Sequence, residues 1–203
     1  MKLFYKTGAC SLASRIALIE TGLSFTAEEV DTDTGLSKSG LNYKQINPKG
    51  YVPALELENG EVLTEGASVL QFIASQAPDQ QLVPTNDPIG QARLQEYLNY
   101  TSSELHKAFS PLFSDNSTAS EQEKAKQNVA QKFDYLENLL SDNRTFLVNN
   151  TFSVADAYLF VVLNWSNFVG IDLSSWKNIS TYFQGIFNRK SVQQALIAEG
   201  LTS

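Results

Sequence analysis

Apolar and polar positions follow two rhythms along this chain. Up to residue 80 short apolar runs alternate with helical patches, and from residue 87 onward a helical period persists. Residues 2–6 read as a strand, and residues 11–21 as a helix whose Leu12, Ile16 and Ile19 recur at helical spacing until Gly22 stops it. With a second strand over residues 25–30, the opening is strand, helix, strand: a parallel pair joined by a crossover. Residues 31–50, rich in Gly, Ser, Asp and Asn, read as a surface loop with one helical turn near residues 43–46. Residues 52–57 and 62–64 flank Asn59-Gly60, a strong hairpin signal, and residues 65–77 read as a helix ended by Pro78. This order predicts a thioredoxin-like α/β domain of four strands over residues 1–80.

A short polar stretch holding Pro78 and Pro84 reads as a linker, and Asp87-Pro88 as an N-cap with proline at the first helical position. The second predicted domain, residues 87–203, is all-helical, with helices over 88–113, 120–141, 153–169, 176–189 and 191–199. Ser153-Val154-Ala155-Asp156 is a capping box, and it opens a segment apolar on nearly every face through Trp165, as suits a central buried helix. In the first of these helices Leu94, Leu98, Thr101, Leu105, Ala108 and Leu112 form a seam for the core. Asn99, Ser103 and His106 recur at the same spacings of four and three, a polar stripe beside the seam where the helix borders a cleft.

The 203 residues, 42% hydrophobic and 18% charged, suit a soluble globular protein. A net charge of -7 excludes a nucleic-acid groove, which needs a basic face. No apolar run approaches the roughly 18 residues of a membrane span, and Met1-Lys2 leads into a strand without a signal-peptide core, so a cytoplasmic location is expected. One Cys and one His exclude an internal disulfide and a usual His/Cys metal site, so no metal is expected.

Four segments could carry chemistry. Cys10, after Gly8 at a helix start, reads either as a small core residue or as a thiol where free amides and the helix dipole favour a sulfur anion. Val52-Pro53 reads either as an ordinary edge strand or as a strand start whose Val52 main chain is free to pair with an extended peptide. Glu65-Gly66-Ala67-Ser68 is either a plain helix start or a seat for an amino-acid head, its amides taking a carboxylate and Glu65 an ammonium. His106 is either structural or a donor at the cleft, and Glu104, on another flank, could reach a subunit partner.

These segments, in this order and over essentially the whole chain, resemble the bacterial beta class of cytosolic glutathione transferases. The resemblance rests on Met1-Lys2-Leu3-Phe4-Tyr5-Lys6, Gly8-Ala9-Cys10-Ser11-Leu12, Asn47-Pro48-Lys49-Gly50 with Val52-Pro53-Ala54-Leu55, Leu63-Thr64-Glu65-Gly66, Glu104-Leu105-His106-Lys107 and Ala155-Asp156-Ala157-Tyr158-Leu159-Phe160. It implies a cis Pro53, a homodimeric detoxification enzyme, and glutathione as co-substrate held between the domains. It further implies Cys10 and His106 near the glutathione sulfur, Val52 on the cysteinyl backbone, Glu65 and Gly66 at the γ-glutamyl end, and Asn99, Ser103 and Glu104 from the second domain, in part from the neighbouring subunit.

The activity so implied is transfer of glutathione to an apolar electrophile, with thiol-disulfide exchange at Cys10 as a second enzymatic reading and a noncatalytic ligand-binding or regulatory protein as the other class. The electrophile's pocket is expected near Ala9, Leu12, Phe109, Phe113 and Trp165. One departure stands out: related sequences carry a lysine for a glutathione carboxylate where this chain has Gly35, leaving Lys38 or Lys49 to replace it.

Overall fold

The computed structural model describes residues 1–201. β1 (Lys2–Tyr5), α1 (Ser11–Thr21), β2 (Thr26–Asp31), β3 (Leu36–Ser37), β4 (Ala54–Glu56), β5 (Val62–Thr64) and α2 (Gly66–Ser75) follow in chain order. They build a five-stranded sheet in the order β3-β2-β1-β4-β5, with β1 and β2 parallel and every other pair antiparallel. The expected count of four strands is corrected by β3, two residues long on the sheet edge. Its flanking Gly35 and Gly40 both take positive φ, and two residues are too few to show an alternation.

Side chains alternate across the sheet. Leu3 and Leu55, paired in register, sink into the main core with α1 and α2, while Phe4, Val30 and Ala54 face the other way onto Tyr43. Tyr43 opens a short helical turn, Tyr43–Gln45, capped by the Asn42 side chain. Its hydroxyl donates to the Tyr51 carbonyl at 2.7 Å, as does the Asn47 amide at 2.6 Å. The loop is thereby fastened to the approach to Val52.

The helical half comprises α3 (Pro88–Tyr100), α4 (His106–Phe109), α5 (Ala119–Leu139), α6 (Val154–Asn164), α7 (Ser166–Val169), α8 (Lys177–Phe187) and α9 (Lys190–Ala198). The Asp87 side chain caps α3 by accepting from the Gly90 amide at 3.0 Å. The regular helix expected over 88–113 is instead three kinds of turn: α3 widens into a π-type turn at Thr101–Leu105, resumes as α4 and tightens at Ser110–Phe113. A local cause is visible where the Ser102 and Ser103 hydroxyls both donate to the Asn99 carbonyl, at 3.1 and 2.8 Å, competing for a main-chain acceptor. The seam keeps its place: Leu94, Leu98, Thr101, Leu105 and Ala108 are buried.

Every residue of α6 is buried. Its capping box closes on Asp156, which accepts from the Ser153 amide at 2.9 Å and hydroxyl at 2.6 Å, and from the Leu147 amide at 2.8 Å and the Tyr182 hydroxyl at 2.7 Å. A buried carboxylate is tolerable only with such a set of donors. One apolar core runs through both halves, from Leu3 and Leu12 to Phe109, Phe160 and Leu196, with α1 packed on both α6 and α9. Among the described residues no helix is long and apolar enough to cross a membrane.

Candidate active site

Cys10 is the N-cap of α1, at the end of the turn begun by Gly8, whose φ of +72° belongs to the left-handed region. Of the two readings of Cys10, its surroundings favour the protonated thiol over the sulfur anion. Burial pushes the thiol up to about 12, outweighing the downward pull of the Cys10 and Ser11 amides, and Glu65 adds to the rise. The Sγ–H donates to the Val52 carbonyl at 3.3 Å. At neutral pH this residue is a protonated donor.

Val52 precedes a cis peptide bond to Pro53. Gly66 lies against the proline ring, since a Cβ placed on it would stand 3.9 Å from Pro53 Cδ. Glu65 takes a φ of +68°, rare for a residue with a Cβ, at the start of α2, whose first amides lack intrahelical acceptors. One of its carboxylate oxygens, Oε1, receives Lys49 Nζ at 2.5 Å, and among the described residues the other has no donor.

His106 is held from two sides. Nδ1 lies 2.9 Å from the Tyr158 hydroxyl, and the imidazole meets the Trp165 ring edge-on at 4.6 Å between centroids. Burial, with a smaller push from Lys107, lowers its pKa to about 4, so the imidazole is neutral at pH 7. Burial, then Cys10 and Glu65, raise the Tyr158 phenol well above its ordinary value, which ties this helical pair electrostatically to the sheet side of the cleft.

Trp165 joins the two sides directly, its indole N–H donating to the Gly8 carbonyl at 2.8 Å. The Gly8 amide donates to Glu199 at 2.9 Å, and Glu199 is paired with Arg15 at 2.9 Å, both buried. The turn leading to Cys10 is therefore pinned, through both polar groups of one glycine, by the residues that cap the C-termini of α6 and α9.

Asn99, near the end of α3, and Ser103 and Glu104, in the π-type turn, are exposed, and Glu104 pairs with Lys132 at 2.5 Å. Among the described residues no hydrogen bond links these three to Cys10, Val52 or Glu65. In the expected electrophile pocket, Leu12 and Phe109 are fully buried and supply no wall. Phe113, 51% exposed, stands edge-on to Trp165 at 5.5 Å and is the apolar surface on offer. Tyr158 was not singled out for its chemistry. A tyrosine in a buried, mostly apolar helix is the signal that could have found it, since its hydroxyl needs a partner.

A thioredoxin-like domain whose first helix starts at a cysteine is thus packed against a helical domain that carries the histidine and, through Trp165, bonds the turn before that cysteine. The glutathione S-transferase N-terminal domain family matches residues 7–76, and the glutathione S-transferase C-terminal domain family matches residues 100–190. The chain is 41% identical to glutathione S-transferase GstA of Escherichia coli O157:H7, over 99% of this chain and 100% of that one. The beta-class glutathione S-transferase of Sphingomonas chungbukensis superposes with a TM-score of 0.96 at 44% identity, covering 100% of both chains. A sphingomonad glutathione S-transferase complexed with glutathione superposes at 0.95 with 41% identity, again over 100% of both. The chain belongs to the glutathione S-transferase family, and it is an enzyme of that family.

Proposed function

We propose that this transferase binds glutathione in the cleft between its halves, holds the bound sulfur as a thiolate and adds it to an apolar electrophile. The observation that carries this reading is a geometric link between two donors: the Cys10 thiol at the start of α1, and the His106 imidazole, held at 2.9 Å by Tyr158 and edge-on by Trp165, whose indole N–H bonds the Gly8 carbonyl two residues before Cys10. Neither is a base strong enough, or charged in the right sense, to compete with a substrate thiolate. Both can donate to one, as can the first amides of α1. The thiol proton leaves to solvent and sulfur bonds to the electrophilic carbon; with an aryl halide the carbon–halogen bond then breaks and the halogen departs as halide with the bonding electron pair.

Val52 pairs the cysteinyl main chain, while Glu65 and the Gly66 amide take the γ-glutamyl end. Asn99, Ser103 and Glu104 contribute from the helical half of a homodimer in the cytoplasm. Tyr51, 73% exposed beside Val52, supports the dimer as an aromatic side chain left uncovered by its own chain. The cysteine's state counts against disulfide exchange at Cys10, because a pKa of about 12 leaves about one thiolate in 10⁵ at pH 7.

The test is conjugation of a chlorinated nitroarene, together with ultraviolet titration of the bound thiol. Loss of one hydrogen bond to a charged sulfur, about 1.5–3 kcal/mol, lowers kcat/KM roughly tenfold to a hundredfold in His106→Ala, less in Cys10→Ala, and raises the bound thiol's pKa in both. Unchanged turnover in the double variant would remove both side chains from the mechanism.

A further inference from the structure

We propose that Lys44 is the cation that receives the glycyl carboxylate of glutathione, an inference that rests on the glutathione reading above. The order of groups along one short stretch of main chain carries it. Gly66, and with it Glu65, lies at the Pro53 end of Val52-Pro53, while Gly50 lies two residues before Val52. A peptide that pairs antiparallel on Val52 with its γ-glutamyl end at Glu65 runs its carboxyl end back toward Gly50. A cation is wanted at that end.

The lysines around this edge are distinguishable by what they already hold. Lys49 is on Glu65 at 2.5 Å and on the Thr64 hydroxyl at 2.9 Å, at the opposite end. Lys38 faces Glu29 at 3.8 Å, and Lys6 bonds the Thr32 hydroxyl at 2.9 Å and Asp33 at 3.4 Å. Lys44 has no acceptor for its ammonium among the described residues. Neither Lys38 nor Lys49, the two replacements expected from sequence, is free.

Position agrees with availability. The Lys44 stem passes between two glycines, with Cε 3.8 Å from where a Cβ on Gly50 would stand and 4.0 Å from where one on Gly35 would stand. The ammonium is one bond, about 1.5 Å, further on. The backbone under it is fixed: the Tyr43 amide donates to the Gly35 carbonyl at 2.9 Å, and the Tyr43 hydroxyl holds the Tyr51 carbonyl. The Lys44 amide is itself capped by Asn42 at 3.1 Å. A side chain on Gly35 would lie against this stem, so a bare position 35 and a lysine at 44 suit each other.

Calorimetric titration of glutathione and of its glycyl monoethyl ester into the wild-type protein, Lys44→Met, Lys44→Arg and Lys38→Met separates the possibilities. Losing one partly exposed charge-assisted contact weakens glutathione about fivefold to fiftyfold in Lys44→Met. The ester, lacking the charge, binds Lys44→Met as it binds wild type, Lys44→Arg recovers most of the loss, and Lys38→Met matches wild type. Equal glutathione affinity in Lys44→Met and wild type overturns Lys44 while leaving the site standing, as does a loss shared by the ester or seen in Lys38→Met instead. Wild type that takes up neither ligand overturns the glutathione site and Lys44 together.

Discussion

Under the proposed function the groups that the sheet side offers a ligand are mostly main chain: Val52, whose carbonyl also accepts from the Cys10 thiol, and the first amides of α1 and α2. On the helical side they are side chains, His106 with Tyr158 and Trp165 behind it. The sheet wall is set by topology, since strand register and helix starts aim its groups whatever side chains surround them. The helical wall depends on a chain of contacts, each of which must be present for the next to point correctly. Burial gives both walls the same character, leaving Cys10 and His106 neutral.

The two walls meet at Gly8, and the largest predicted effect comes from cutting that joint. Glu199 accepts the Gly8 amide and pairs with Arg15, whose guanidinium also lies 4.1 Å from the centre of the Tyr5 ring. Glu199→Ala leaves Arg15 buried without its counter-charge, which costs about 3–5 kcal/mol. Denaturant unfolding measures it. A loss below about 1 kcal/mol would mean that the walls are joined by the apolar core alone, and the contrast between them would be one of chemistry without mechanical consequence.

Acid tests the helical wall separately. The His106 pKa of about 4 lies below its ordinary value of 6.5. As pH falls through about 6.5 the unfolded chain takes up a proton that the folded chain refuses until about pH 4. Stability is therefore full above the unfolded value and declines across that window, by on the order of 3 kcal/mol at 1.36 kcal/mol per unit. Glu28, on the sheet wall, behaves oppositely in cause. Lys2, Ser37 and Ser39 hold its pKa down to about 2, so its contribution is present above about 4.5 and is lost only as pH falls toward 2. Stability measured from pH 7.5 to 4.5 falls in the wild type and stays nearly flat in His106→Gln. Parallel curves would show that His106 is not the group that titrates.

The difference between the walls also explains what could be read from the residues alone. Leu12 and Ile16 with Gly22 announced α1, Asn59-Gly60 the hairpin, and Asp87-Pro88 and Ser153 with Asp156 the starts of α3 and α6, because each signal is local. Cys10 and Glu65 were legible as helix starts, but the state of the thiol was not. It depends on how deeply distant residues bury it, and burial beats the dipole. The stripe of Asn99, Ser103 and His106 assumed one helical period, which the π-type turn breaks. The bond from Trp165 to Gly8 spans most of the chain and has no local mark.

The smallest predicted effect bears on the finest detail of the helical wall, the proton on His106. The Tyr158 phenol stays protonated, being raised by burial and by Cys10 and Glu65, and His106 Nδ1 is its hydrogen-bond partner at 2.9 Å. A neutral imidazole nitrogen is a stronger acceptor than a phenol oxygen, so the hydroxyl donates to Nδ1, and the ring proton is assigned to Nε2. That tautomer is the one that can donate to a thiolate. Tyr158→Phe keeps the aromatic ring and removes this selection, so kcat/KM drops about threefold to tenfold, less than in His106→Ala. Nitrogen NMR of labelled His106 reads the tautomer directly, expected as Nε2–H in wild type and mixed in the variant. Because Tyr158 acts only through His106, Tyr158→Phe made on top of His106→Ala costs nothing further in kcat/KM. Full additivity of the two losses would place Tyr158 in contact with the substrate itself and end its assignment as a positioning residue.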